Sequence, residues 1–249
     1  MVAIQDLVSH VDDLLNVSAF TDYSPNGLQV QGRPHVGRLV TGVTASRALI
    51  EAAVQHGADA LLVHHGYFWK GEDARVTGMK RERLRLLLAH DINLLAYHLP
   101  LDAHPELGNN AQLARLLEFQ VEGLMRPDGV GNFGRPLQVL SGQELKDRIA
   151  RRLQREPLWI ASGPESIQRV GWCTGGAQGM IEQAVALGLD AFITGEVSEQ
   201  TVHVAREEGI HFFAAGHHAT ERYGPKALGE YLAQTLALSH EFIDIDNPI

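Results

Sequence analysis

The sequence predicts an α/β protein of two similar lobes, an internal duplication, with a metal site at strand carboxyl ends in the cleft between them. Three observations predict it. Short apolar runs alternate with helical stretches from Leu39 onward, the pattern of βαβ units whose helices cover a sheet. Residues 51–60 and 182–191 share six of ten identities, including the glycine that would end each helix. Histidine pairs close two apolar runs, Leu61-Leu62-Val63-His64-His65 and Phe213-Ala214-Ala215-Gly216-His217-His218. Open α/β sheets gather ligands just beyond the carboxyl ends of their strands.

The elements follow in order. Ile4, Leu7, Val8, Val11, Leu14 and Leu15 recur at helical spacing, so the chain opens with an amphipathic helix. Ser24-Pro25-Asn26-Gly27 is a turn. Residues 39–43 read as a strand, 46–56 as a helix ended by Gly57, and 60–63 as a strand. A helix around 80–89 and a strand at 93–97 come next. Residues 126–136, rich in Gly and Pro, read as a linker or long surface loop between a first lobe, 1–125, and a second, 126–249, the two intertwined into one compact unit. Ser141-Gly142-Gln143-Glu144 resembles a capping box opening a helix toward Leu153. In each half the second apolar run ends in polar residues, His64 and His65 first, Gly195 and Glu196 second. The next run ends in histidine, at His98 and at His217.

Composition narrows the function classes. At 249 residues the chain can bury a full core. It has 45% hydrophobic and 20% charged residues, the make-up of an ordinary globular protein. Its 21 basic and 30 acidic residues give a formal charge of −9, which argues against a surface that coats nucleic acid. A lone Cys173 excludes an internal disulfide and a cysteine-based zinc cluster; in an apolar run it reads as a small hydrophobe. No apolar stretch approaches the ~20 residues of a membrane span, and the N-terminus lacks a signal-peptide layout. The expected location is cytoplasmic.

Successive side chains of a strand point to opposite faces, so His64 and His65 are expected to serve different ions. His217 and Glu221, four apart, share one face if a helix begins there; His218, a step of about 100° further round, points elsewhere. Asp102 lies in His98-Leu99-Pro100-Leu101-Asp102-Ala103-His104-Pro105, read as a proline-stiffened loop beyond a strand end. Three imidazoles (His64, His65, His217) and two carboxylates (Asp102, Glu221) would thus make two sites. Nitrogen and oxygen donors suit Fe, Mn, Co, Zn or Ni. His98, Glu196 and His104 are candidates to orient those ligands or move protons, against an ordinary structural hydrogen bond. Tyr67-Phe68-Trp69-Lys70 could stack a base or line a substrate entrance, or simply pack. Gly175-Gly176-Ala177-Gln178-Gly179 offers backbone amides to a phosphate, or makes a tight structural turn.

These motifs together resemble a known family. His-His-Gly after a strand, His-Leu-Pro-Leu-Asp-Ala-His, and Gly-His-His-Ala-Thr-Glu are similar to those of the dinuclear-metal-centre proteins called GTP cyclohydrolase 1 type 2 homologues, in particular the bacterial YbgI-like members. The similarity runs from Tyr23-Ser24-Pro25-Asn26-Gly27-Leu28-Gln29-Val30 to Phe242-Ile243-Asp244-Ile245. It implies two divalent ions per chain on His64, His65, Asp102, His217 and Glu221, with Glu221 bridging. It also implies a ring-shaped homohexamer with the metal centres facing an internal cavity. The chain is too short for the extra domain that some relatives insert between the halves. The expected activity is metal-dependent hydrolysis of nucleotides or modified and damaged nucleotides, with His98 or Glu196 moving the proton. The alternative is a non-catalytic metal-binding scaffold or metal-delivery protein.

Overall fold

The computed structural model describes residues 1–249. In chain order it forms β1 (Val2–Ala3), α1 (Ile4–Leu14), β2 (Gly27–Val30), β3 (His35–Val36), β4 (Arg38–Thr44), α2 (Arg47–Gln55), β5 (Ala60–His65), α3 (Gly78–Ala89), β6 (Asn93–Ala96) and α4 (Leu99–Ala103). It continues with α5 (Asn109–Leu117), β7 (Phe119–Leu124), β8 (Asn132–Pro136), α6 (Gly142–Leu153), β9 (Leu158–Ile160), β10 (Val170–Trp172) and α7 (Ile181–Ala186). The last elements are β11 (Ala191–Thr194), α8 (Glu199–Glu208), β12 (His211–Ala214), α9 (His217–Glu221), α10 (Tyr223–Leu236) and β13 (Ser239–Phe242). The α/β class is as expected, and the strands and helices read between residues 4 and 97 begin and end within two residues of their expected bounds.

Two compact units result, one of residues 1–101 with 224–245, the other of 102–223 with 246–249. These bounds differ from the expected lobes 1–125 and 126–249. Two pairings account for this: β7 pairs with β8 in the sheet of the second unit, and β13 pairs in parallel with β4, Ser239 opposite Arg38, in the sheet of the first. Pairing between strands 200 residues apart leaves no local trace in the sequence.

The first unit is built on a five-stranded sheet in the order β13-β4-β5-β6-β2, parallel except for β2. Strands buried on both faces read as continuous apolar runs, and β5, Ala-Leu-Leu-Val-His-His, is buried up to its last residue. Val40, Leu61, Val63 and Leu94 pack with Leu49 and Ile50 of α2 and Leu87 of α3. Ser46 caps α2, its hydroxyl accepting from Leu49 N–H.

The second unit has a six-stranded sheet, β7-β8-β10-β11-β12-β9, whose centre β10-β11-β12 is parallel. Its core joins Trp172, Ile193 and Phe213 to Leu145 and Ile149 of α6. The capping box at Ser141 and Glu144 is formed in both directions. The linker expected at 126–136 is instead the turn and second strand of a hairpin: β8 pairs with β7 and β10. Glycine serves close approach there, since a Cβ at Gly134 would collide with the Gln120 carbonyl.

Candidate metal centre

In the first unit, β5 delivers His64 and His65, and the chain just beyond β6 delivers His98. The ring nitrogens of these three lie within 4.8 Å of one another, a group that could hold a metal ion. The rings of His64 and His65 are 4.6 Å apart, tilted by 44°. Adjacency in the strand thus leaves the two rings close to one another.

Each of these rings is held by its Nδ1. His64, fully buried, donates Nδ1–H to the Tyr97 carbonyl at 2.9 Å. His98 Nδ1 meets Asp22 Oδ1 at 2.7 Å, and His65 Nδ1 meets the Thr44 hydroxyl at 3.2 Å. A proton fixed on Nδ1 makes Nε2 the ligating nitrogen of a neutral imidazole, the usual arrangement behind metal-bound histidines. Burial alone would raise Asp22, yet its bonds from His98, Asn26 and the Leu99 amide hold it down at about 2. Asp22 is therefore an anion whenever His98 needs one. The edge of Trp69 abuts His98, ring centroids 5.1 Å apart, and walls the three histidines.

In the second unit, α9 carries His217 and Glu221 one turn apart, Nε2 and Oε2 separated by 3.2 Å. Glu196, just past β11, binds His217 Nδ1 at 2.7 Å. Burial disfavours a charged His217, but Glu221 and Glu196 outweigh it and push the metal-free ring up to about 9. Glu221 is 3% exposed. It fits because Gly175 opposite has no side chain: a Cβ there would overlap Glu221 Oε1, and its φ of +71° suits glycine besides. Asp102 is buried in α4, its Oδ1 accepting from Asn109 Nδ2 at 2.9 Å and from the Thr174 hydroxyl at 3.3 Å. The loop expected around Asp102 is thus a short helix, with Pro100 in its first turn, where a missing N–H costs nothing.

The donor set, imidazole nitrogen and carboxylate oxygen with every ring braced from behind, is one that divalent metal ions take. The family model of DUF34/NIF3, NGG1p interacting factor 3, matches residues 2–248. The chain belongs to the DUF34/NIF3 family. It is 59% identical to a GTP cyclohydrolase 1 type 2 homolog of Yersinia pestis over 245 residues, 98% of each chain. It is 56% identical to the homolog of Pseudomonas aeruginosa, over 99% of each. Among solved structures, protein ybgI, described as of unknown function, superposes with a TM-score of 0.98 at 56% identity over 100% of both chains. TTHA1606 from Thermus thermophilus gives 0.92 at 33% identity, again over 100% of both.

The other residues singled out in this DUF34/NIF3 chain have structural roles. In the glycine turn at 175–179, Gly175 N–H is bonded to the Thr220 hydroxyl and Ala177 N–H to that of Thr194. Tyr67 is core, its hydroxyl donating to the Ala45 carbonyl at 2.6 Å, and burial pushes its pKa up. His104 Nδ1 accepts from the amides of Glu106 and Leu107, closing a turn. Cys173 is 3% exposed, its thiol pKa raised by burial. His218 joins none of the metal-capable groups. Sequence reasoning missed Asp22, Asn109, Thr174 and Gly175 as supports. Asp22 stood two residues before a recognised turn, but only the fold shows that it faces His98.

Proposed function

We propose that this chain carries a dinuclear divalent-metal centre and hydrolyses nucleotides or modified and damaged nucleotides. The donors would be His64 and His65 of the first unit and Asp102, His217 and Glu221 of the second, with Glu221 shared by the two ions. The observation that carries the reading is the bracing of His64, His65 and His217 through Nδ1 by the Tyr97 carbonyl, the Thr44 hydroxyl and Glu196. That arrangement fixes tautomer and aim before any ligand arrives. The printed name of the relatives, GTP cyclohydrolase 1 type 2 homolog, supports a nucleotide as substrate.

A bound pair of divalent ions supplies Lewis acidity toward water and toward the group to be cleaved. The chain's own residues do the rest. His98, held against an ionised Asp22, is the proton acceptor, since the carboxylate stabilises the imidazolium that forms. Glu196, committed to His217, positions that ring. Trp69 keeps water from one side of His98.

The test combines elemental analysis with a hydrolysis screen of nucleotides and damaged nucleotides, using protein loaded separately with Mn, Fe, Co and Zn against a metal-stripped control. Two ions per chain and metal-dependent turnover are expected. One ion or none after reconstitution removes the dinuclear centre; full metallation without turnover on the whole panel makes the scaffold or delivery role the better reading. The assembly we propose is a closed homohexamer, and light scattering that returns a monomer mass at all concentrations rejects it. No helix is long and apolar enough to cross a membrane.

A further inference from the structure

A second feature of the second unit lies beside Glu196. A cavity of about 380 Å³ is lined by Arg155, Glu156, Leu158, Gly195, Glu196, Val197, Ala214 and Ile249. Three of its lining side chains are charged, and two of the three are already paired: Glu156 with Lys146 and Glu196 with His217. Arg155 makes no ion pair, and its Nε is buried without a hydrogen-bond partner. An unpartnered buried guanidinium N–H is costly unless something completes it.

Two features hold that arm in place. Arg155 follows directly on α6, its amide donating to the Ala150 carbonyl as the helix ends. Its side chain crosses Gly216, the residue just before α9: a Cβ there would lie 2.6 Å from Arg155 Nε, and Gly216 has a φ of +102° that glycine tolerates. Gly216 therefore leaves room for the arm, and Glu196 ties the same cavity to His217. In the glycine turn at 175–179, the other anion site suggested by sequence, the Gly175 and Ala177 amides are already bonded to the Thr220 and Thr194 hydroxyls.

We propose that Arg155 is the anion-recognition residue of this chain and binds the phosphate of a phosphorylated substrate in this cavity. A guanidinium presents a planar fork of donors that matches phosphate oxygens two at a time. Leu158, Val197 and Ala214 give the cavity an apolar side beside the guanidinium. The inference rests on the nucleotide reading above and narrows it: the preferred ligands carry phosphate, and nucleosides are poor ones.

The test is calorimetric binding of GMP, guanosine and inorganic pyrophosphate to metal-loaded wild type, Arg155→Gln and Arg155→Lys, with metal content and thermal midpoint measured on each. Wild type is expected to bind GMP well above guanosine. Arg155→Gln should lose about 10- to 100-fold on GMP and pyrophosphate and nothing on guanosine, with metal content unchanged. Arg155→Lys, which keeps the charge but not the fork, should recover part of the loss. Equal GMP binding by wild type and Arg155→Gln overturns the inference, as does wild type that binds neither phosphate-bearing probe. Should Arg155 govern binding while no nucleotide turns over, the hydrolase reading falls and this one stands. Should turnover occur with phosphate discrimination intact in Arg155→Gln, the reverse holds.

Discussion

The parallel stretch β4-α2-β5-β6 of the first unit and β10-α7-β11-β12 of the second use the same devices to opposite chemical ends. In the first, Asp59 Oδ2 accepts from the amides of Gly37 and Arg38, both at 2.8 Å, while Arg38 reaches the His56 carbonyl. In the second, Asp190 Oδ2 accepts from the amides of Gln168 and Arg169, both at 2.8 Å, while Arg169 reaches the Leu187 carbonyl. Gly57 and Gly188 end their helices at the same φ of +63°. A five-residue helix follows the third parallel strand in each case, α4 after β6 and α9 after β12. The difference lies in what the frame presents. The first ends its middle strand on two imidazoles, the second on Gly195 and Glu196, leaving its metal donors to the helix. Strand-borne donors need separate braces, one for each ring. Helix-borne donors four apart converge by helical geometry alone. A scaffold fixed by backbone hydrogen bonds can thus change its chemistry at strand ends without changing shape.

The largest expected effect separates the two kinds of donor. Glu221→Gln keeps the shape but removes the shared charge, so both ions should be lost, with affinity falling more than about 100-fold, beyond the loss of an outer partner. His64→Ala should cost one ion only. Elemental analysis after dialysis against a weak chelator reads both; equal losses would mean Glu221 is not shared.

The braces come next. Glu196→Gln should weaken metal binding by about 10–100-fold while stoichiometry at saturation stays intact, whereas Asp22→Asn, whose partner His98 is the proton acceptor and not one of the proposed ligands, should leave metal binding unchanged and lower turnover. Turnover should fall by roughly 10²–10⁴ in His98→Gln, and less in Glu196→Gln, which only positions its ring. Competition with a colorimetric chelator measures the first quantity and rates at saturating metal the second. Matching rates for wild type and His98→Gln would remove His98 as proton acceptor.

A smaller effect sharpens the comparison of frames. Asp59 carries an ion pair with Arg33 at 2.7 Å that Asp190 lacks, so Asp59→Asn should destabilise by about 1–3 kcal/mol and Asp190→Asn by less. Burial works to raise Asp59, but the Gly37 and Arg38 amides and Arg33 outweigh it and hold its pKa below the ordinary carboxylate value. A depressed pKa stabilises the fold above the unfolded value of 3.8, and the contribution is lost as pH falls through the lower folded value. Urea titrations should therefore show the gap between wild type and Asp59→Asn full at pH 6 and closing below pH ~4. A gap that persists in acid would assign the effect to packing.

The smallest effect is the control within α9. His218→Ala should leave metal content within error of wild type, since His218 joins none of the donor groups. Any loss comparable to His217→Ala would mean the wrong member of the pair was assigned.

Much of this was legible in the residues. Apolar runs and glycine stops located the strands and helices of 39–97, because burial on both faces and helix termination leave local marks. The pairs at His64-His65 and His217-His218, with Asp102 and Glu221, stood out because such residues are rarely placed at the ends of apolar runs without purpose. The identity of one helix stop, Gly57, even carried over to Gly188. Tertiary structure alone decided the rest. Residues 126–136 looked like a linker or long surface loop because Gly and Pro mark a tight turn and a loose segment alike. Asp102 looked like a loop residue because five residues are too few for a helical period. The return of β13 to β4, the closeness of the His64 and His65 rings, and the braces from Asp22 to His98 and Glu196 to His217 join positions by contact rather than by spacing. Sequence fixes periodicity because it acts over neighbouring residues; which side chain leans on which ring depends on hydrogen bonds closed across the fold.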